Sequence, residues 1–146
     1  YTITARACDS AGNCSNETSR HIQMNARRLY IWQVYQYMRA DSGDVVIGQP
    51  SENEINDNLR SGKMAENVYN MYNSPEATKY FDEKGIPQTV TNLYKGILGR
   101  NYDEDGYNSN VSTYQSYGKD NILKVFVNSE EAQKLYAYWG LGTGAV

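Results

Sequence analysis

Histidine occurs once, at His21, and cysteine only twice, at Cys8 and Cys14. As a zinc site the cysteine pair lacks the second pair of ligands that the metal requires. No serine stands in a strained Gly-x-Ser-x-Gly turn with a base to activate it. The carboxylates all have uses as helix caps or surface charges, which leaves no catalytic constellation. Basic charge is short as well: 14 Lys and Arg against 17 Asp and Glu give a net charge of −3, and only Arg27 and Arg28 are adjacent. A general nucleic-acid binder needs a basic face that releases counterions, so that class is excluded. No apolar run approaches the ~18–20 residues needed to span a bilayer, and residues 1–20 do not read as a signal peptide. The chain opens in mid-pattern without an initiator Met, as an excised or processed piece of a longer protein would.

Phenylalanine is nearly absent, two against 14 tyrosines. Tyrosine-rich interiors suit thin layers of small helices, where a ring is buried and its hydroxyl reaches water or a backbone group. Exposed tyrosines also occur at sugar-binding and protein-binding surfaces. The two cysteines have five residues between them, Asp9-Ser10-Ala11-Gly12-Asn13. A disulfide there would pin the arms of a hairpin and implies an extracytoplasmic home; the alternative is two unpaired buried thiols.

Tyr1 to Ala7 alternates apolar and polar residues and reads as a strand, Asp9 to Asn13 as a turn, and Ser15 to Ile22 as a return arm carrying an exposed His21. Beyond that the periodicity is helical. Met24 to Arg39 carries the stripe Ile31, Val34, Tyr35 and Met38, with Trp32 beside it. Asp41 to Asp44 breaks the pattern, and Val45 to Gly48 is an apolar run too short for a helix. Ser51 and Glu54 spell a capping box that opens a helix ending at Gly62. Lys63 to Asn73 is helical, Ser74 and Pro75 restart a helix, and Gly85 and Pro87 close the first half. The strongest stripe is Val90, Leu93, Tyr94, Ile97 and Leu98, at i, i+3, i+4, i+7 and i+8, before a helix-stopping Gly99. A weakly patterned helix ends near Gly118. Ile122, Val125 and Phe126 form the next stripe, Asn128 to Ala132 opens a last helix, and the segment past Gly140 reads as frayed.

The order of these signals repeats. Residues 73–77 answer 128–132, Gly62-Lys63 answers Gly118-Lys119, and Val34-Tyr35 answers Leu93-Tyr94, at offsets of 55, 56 and 59. A duplicated unit with loops of varied length gives such a drift.

Two resemblances accompany this reading. Residues 1–15, with their Asp-x-Ala-Gly-Asn turn, look like the closing hairpin of bacterial immunoglobulin-like surface domains. Leu93-Tyr94, Leu98-Gly99-Arg100, the Asp103-to-Gly106 turn, Gly118, and Phe126 to Glu131 with Ser129 resemble a bacterial domain of unknown function, family 4214. The resemblance covers about residues 85–140, with a degenerate copy over 28–84. It departs from the family pattern in lacking the tryptophan near Val111. It implies secretion or surface display, a fold like the helical linker domains of phycobilisomes, and structural roles for Tyr94, Arg100, Gly106, Ser129 and Glu131.

The sharpest candidate for ligand chemistry is the acidic turn. Asn101, Asp103, Asp105, Gly106, Tyr107 and Ser109 fall at positions one, three, five, six, seven and nine of a calcium loop. Ser112 replaces the closing Glu, which removes two oxygens and a charge. The alternative use is a solvated turn in which Asp caps the next helix and Arg100 pairs nearby or bonds helix-end carbonyls as a buried pivot.

The sequence therefore predicts a mainly α fold: two divergent multi-helix repeats sharing a core, over 23–84 and 85–146, behind a β-hairpin over 1–22. The expected role is a non-catalytic interaction or assembly module on a secreted or cell-surface protein, whose partners are other protein domains or subunits. The alternative is a carbohydrate-binding domain that uses surface Tyr and Trp. No cofactor beyond the calcium candidate is expected.

Overall fold

The computed structural model describes residues 2–15, 18–21, 26–39 and 50–146. The Asp41–Asp44 break, the Val45–Gly48 run and the 22/23 boundary lie outside these residues, as does the His21 side chain. Among the described residues the fold is mainly α, with six helices. They are α1 (Ala26–Arg39), α2 (Glu52–Ser61), α3 (Met64–Tyr72), α4 (Pro75–Ile97), α5 (Glu104–Val127) and α6 (Glu130–Tyr138). Ahead of them β1 (Thr2–Ala5) and β2 (Thr18–His21) pair antiparallel, Thr2 opposite His21. Between the strands, Asp9 accepts from the backbone N–H groups of Ala11 and Asn13 at 2.9 and 2.8 Å, and a disulfide joins Cys8 to Cys14.

Caps set the helix starts. Ser51 and Glu54 exchange both bonds of the capping box. Ser74 and Ser129 cap α4 and α6 with nearly the same backbone, φ −58° with ψ 152° and 148°. α4 and α5 are each two helical segments meeting at a glycine, at the positions where the sequence reading ends a helix. Gly85 (φ 80°, ψ 171°) and Gly118 (φ 80°, ψ 176°) take a backbone closed to other residues, and helix resumes at once on the far side.

Every helix contributes to one core: Ile31 and Val34 from α1, Ile55 from α2, Val68 from α3, Leu93 from α4, Leu123 from α5 and Tyr136 from α6 are all buried. The stripe Val90, Leu93, Tyr94, Ile97 and Leu98 lies wholly inside it. On α5 the buried set is Ile122, Leu123, Phe126 and Val127, while Val125 is exposed. Ile122 and Phe126 of the expected stripe are thus buried, and Val125 alone falls outside it, because the buried face turns toward Leu123 and Val127.

α1 and α4 run in opposite directions. Tyr30 donates its hydroxyl to the Ile97 carbonyl at 2.8 Å. Gln33 donates to the Gly96 carbonyl, and Asn92 to the Tyr37 carbonyl, each at 3.0 Å. The segment after Gly140 is docked rather than frayed. Leu141 is buried, the Ala65 amide donates to the Thr143 carbonyl, and Asn128 exchanges two bonds with Val146.

Candidate functional site

The turn between α4 and α5 is organised by Arg100. Its guanidinium grips Glu131 of α6 with two parallel bonds, Nε to Oε1 at 2.6 Å and an Nη to Oε2 at 3.0 Å. It also donates to the Asn101 carbonyl at 3.0 Å and stands 3.5 Å from Asp103. Its plane lies over the Tyr94 ring, 5.0 Å from the centroid. The Tyr94 hydroxyl accepts from Asn110 at 2.9 Å, and Tyr102 stacks on Tyr107 at 4.3 Å. Gly106 sits where a Cβ would come within 2.5 Å of the Tyr94 hydroxyl. The structure thus brings Tyr94, Arg100, Asp103, Gly106 and Glu131 together, with Ser129 capping α6 one turn away.

The charges follow these contacts. Glu131 first, and Asp103 with it, raises the Arg100 pKa. Burial raises the Tyr94 phenol. The Gly106 amide, helped by Arg100, lowers the Asp103 carboxyl. With its best anion partner already in cis, Arg100 clips three helix ends together. It differs from the expected buried pivot in being 40% exposed and in bonding a carboxylate on a distant helix.

The calcium-loop spacing has another fate. Asp103 is the N-cap of α5 and accepts from the Gly106 amide at 2.7 Å, while Asp105, Tyr107 and Ser109 lie within that helix. A helix cannot wrap alternate residues around one ion, as that calcium reading of Asn101 to Ser109 requires. Among the described residues, no three His, Cys, Asp or Glu side chains are grouped to hold a metal.

Because the Asp103 pKa is lowered in the folded chain, the stability it contributes is full above the ordinary value of 3.8 and is lost as pH falls through its lower folded value. Thermal melts on either side of 3.8 should show this. Asp103→Asn should retain the cap at neutral pH and flatten the acid limb, and Asp103→Ala should lower the melting temperature throughout.

A second feature lies along the flank of α1. A groove of about 540 Å³ is bordered by Leu29, Trp32, Gln33, Gln36 and Tyr37 on one side and by Lys95, Gly99, Arg100 and Asn101 on the other. Sequence reading singled out Trp32, and gave Gly99, Arg100 and Asn101 other roles, but did not bring them together as a groove. The available signal was Leu29 and Trp32, two large apolar residues one turn apart off the buried stripe.

Residues 69–136 match the family model described as Domain of unknown function (DUF4214). This segment is a DUF4214 domain. The DUF4214 match starts within α3, ahead of residue 85, and ends at Tyr136 in α6, so it contains the whole Arg100 cluster and one wall of the groove. No curated protein matches the chain. Among the described residues no helix is long and apolar enough to cross a membrane.

Proposed function

We propose that this chain is a non-catalytic assembly module of a secreted or cell-surface bacterial protein, a structural subunit that pairs through β1 with a sheet edge of another subunit. The observation that carries the reading is the β1–β2 sheet, which has two strands of four residues and both outer edges open among the described residues. Such edges are templates for strand addition, and an isolated pair of this length is marginal in water. The Cys8–Cys14 bridge supports an oxidising compartment. Residues 1–22 are read as the end of an immunoglobulin-like module.

The helical part serves as a rigid duplicated scaffold over 23–84 and 85–146. At an offset of 59, Ile31, Val34, Tyr35 and Met38 answer Val90, Leu93, Tyr94 and Ile97, all buried. At 55, Val68, Tyr72, Ala77 and Phe81 answer Leu123, Val127, Ala132 and Tyr136, again all buried. Gln33 then answers Asn92 and Tyr37 answers Gly96, so two of the α1–α4 hydrogen bonds, Gln33 to Gly96 and Asn92 to Tyr37, are mates under an approximate two-fold. The match has a limit at Gly62, whose ψ of 12° differs from the 176° of Gly118.

Sedimentation velocity tests the assembly role. The full chain should form oligomers that grow with concentration and disappear on deletion of residues 1–22, with the helical circular-dichroism signal retained. A chain that stays monomeric, or oligomers that survive the deletion, would sink the reading.

The second reading is carbohydrate binding. It is favoured by the groove beside α1, in which an exposed indole is ringed by amide and cationic side chains.

A further inference from the structure

We propose that the α1 groove binds a carboxylate-bearing glycan, with a sugar ring on the face of Trp32 and the carboxylate at Lys95. This rests on the carbohydrate reading and gives it a site and a ligand class.

One flank of α1 keeps large apolar side chains partly exposed. The buried stripe of α1 is Tyr30, Ile31, Val34, Tyr35 and Met38, yet Leu29 and Trp32 remain 47% and 36% exposed. At the answering positions α4 carries Gln88 and Thr91, so the scaffold tolerates polar residues on this flank and only α1 departs from them. An exposed tryptophan face offers apolar area at low entropic cost. The wall opposite and the floor are polar. Gln33 spends its amide N–H on the Gly96 carbonyl at 3.0 Å, which fixes the side chain and leaves its oxygen to accept. Gly99, at φ 68°, carries no side chain over that amide, and a Cβ there would come within 3.1 Å of it. Gln36 and Asn101 add two more carboxamides, each able to donate and accept, as adjacent sugar hydroxyls require.

This lining suits a hydroxyl-rich ring better than the apolar stripe of a partner helix, which needs a contiguous greasy groove. Charge then narrows the class. Among the described residues no Asp or Glu borders the groove, although the chain as a whole is acidic. Arg100 is held by Glu131, which leaves Lys95 as the bordering cation without a carboxylate partner among the described residues. A carboxylate on the ligand completes it.

The test is calorimetric titration of the full chain with oligogalacturonate and, as a neutral probe, a cello-oligosaccharide of equal length. Saturable binding of oligogalacturonate is expected, weaker for the neutral probe. It should weaken about tenfold or more in Trp32→Ala, recover in Trp32→Tyr, and become weaker and less salt-sensitive in Lys95→Gln. Gln36→Ala, on the exposed side of the helix, gives the same answer should Trp32→Ala fail to fold. Oligogalacturonate binding that persists in all these variants would overturn this site and leave the carbohydrate reading standing. Absence of binding to either probe would sink both. Equal binding of both probes, indifferent to Lys95→Gln, would overturn the carboxylate assignment.

Discussion

Phe81→Ala should lower the free energy of unfolding by about 3–5 kcal/mol. Phe81 is 1% exposed and stacks on the fully buried Tyr72 of α3, centroids 5.5 Å apart at 27°. Its edge also meets Tyr80, again at 5.5 Å. Truncation removes the transfer energy of the ring and leaves a cavity between α3 and α4. The Gly85 bend lies one turn on, and in the short helix before it Phe81 and Ala77 are the fully buried residues. Domains of this kind are stable by roughly 5–15 kcal/mol, so the loss is a large share. Urea unfolding at equilibrium measures it as a lower midpoint with an unchanged slope. Tyr117→Ala, at a residue 72% exposed, should stay within about 0.5 kcal/mol of the parent. Equal effects of the two substitutions would contradict the packing described.

What the sequence made legible was local. The stripe from Val90 to Leu98 has a period that only a buried helix face explains, and it is buried throughout. The caps at Ser51, Ser74 and Ser129 were readable because a side-chain oxygen three residues ahead of a free amide is a short-range device. Gly85 was readable as a break, and two helical segments do meet there. Glycine at φ 80° takes the chain out of the helical region for one residue, and a second helical segment begins directly after it. On the far side of Gly118, Ile122 and Phe126 were read correctly and Val125 was not, since the buried face extends to Leu123 and Val127 instead.

The acidic turn shows a deeper ambiguity. An N-cap followed by acidic residues in a first turn uses the same letters as a calcium loop, and Asp103, Glu104 and Asp105 satisfy the first pattern. The missing closing Glu was the residue that separated the two. The partner of Arg100 lies 31 positions away, and Gln33 of the α1 groove bonds a carbonyl 63 positions away, at Gly96. Contacts at such separations are set by how helices cross, which spacing within one helix does not encode.

Gly142→Ala should be the most disruptive change outside the helices. Gly142 has φ 72°, where a Cβ costs roughly 1–2 kcal/mol. That Cβ would also stand 2.1 Å from the Gly62 carbonyl oxygen and 2.5 Å from its carbon. Backbone cannot rotate aside as a side chain does, so overpacking adds about 1–3 kcal/mol unless the segment lifts away. Lifting breaks the bond from the Ala65 amide to the Thr143 carbonyl and those from Gln133 and Asn128 to Gly144 and Val146, and it loosens the buried Leu141. The expected result is a lower melting temperature together with faster hydrogen exchange at the Ala65 amide, while α1 amides slow to exchange stay slow. Gly140→Ala separates the two causes. Its φ is 61° but nothing lies within 4 Å of its Cβ position, so it should show the conformational cost alone. Equal losses at Gly140 and Gly142 would mean that the contact with Gly62 contributes nothing, and the docked course of residues 141–146 would have to be abandoned.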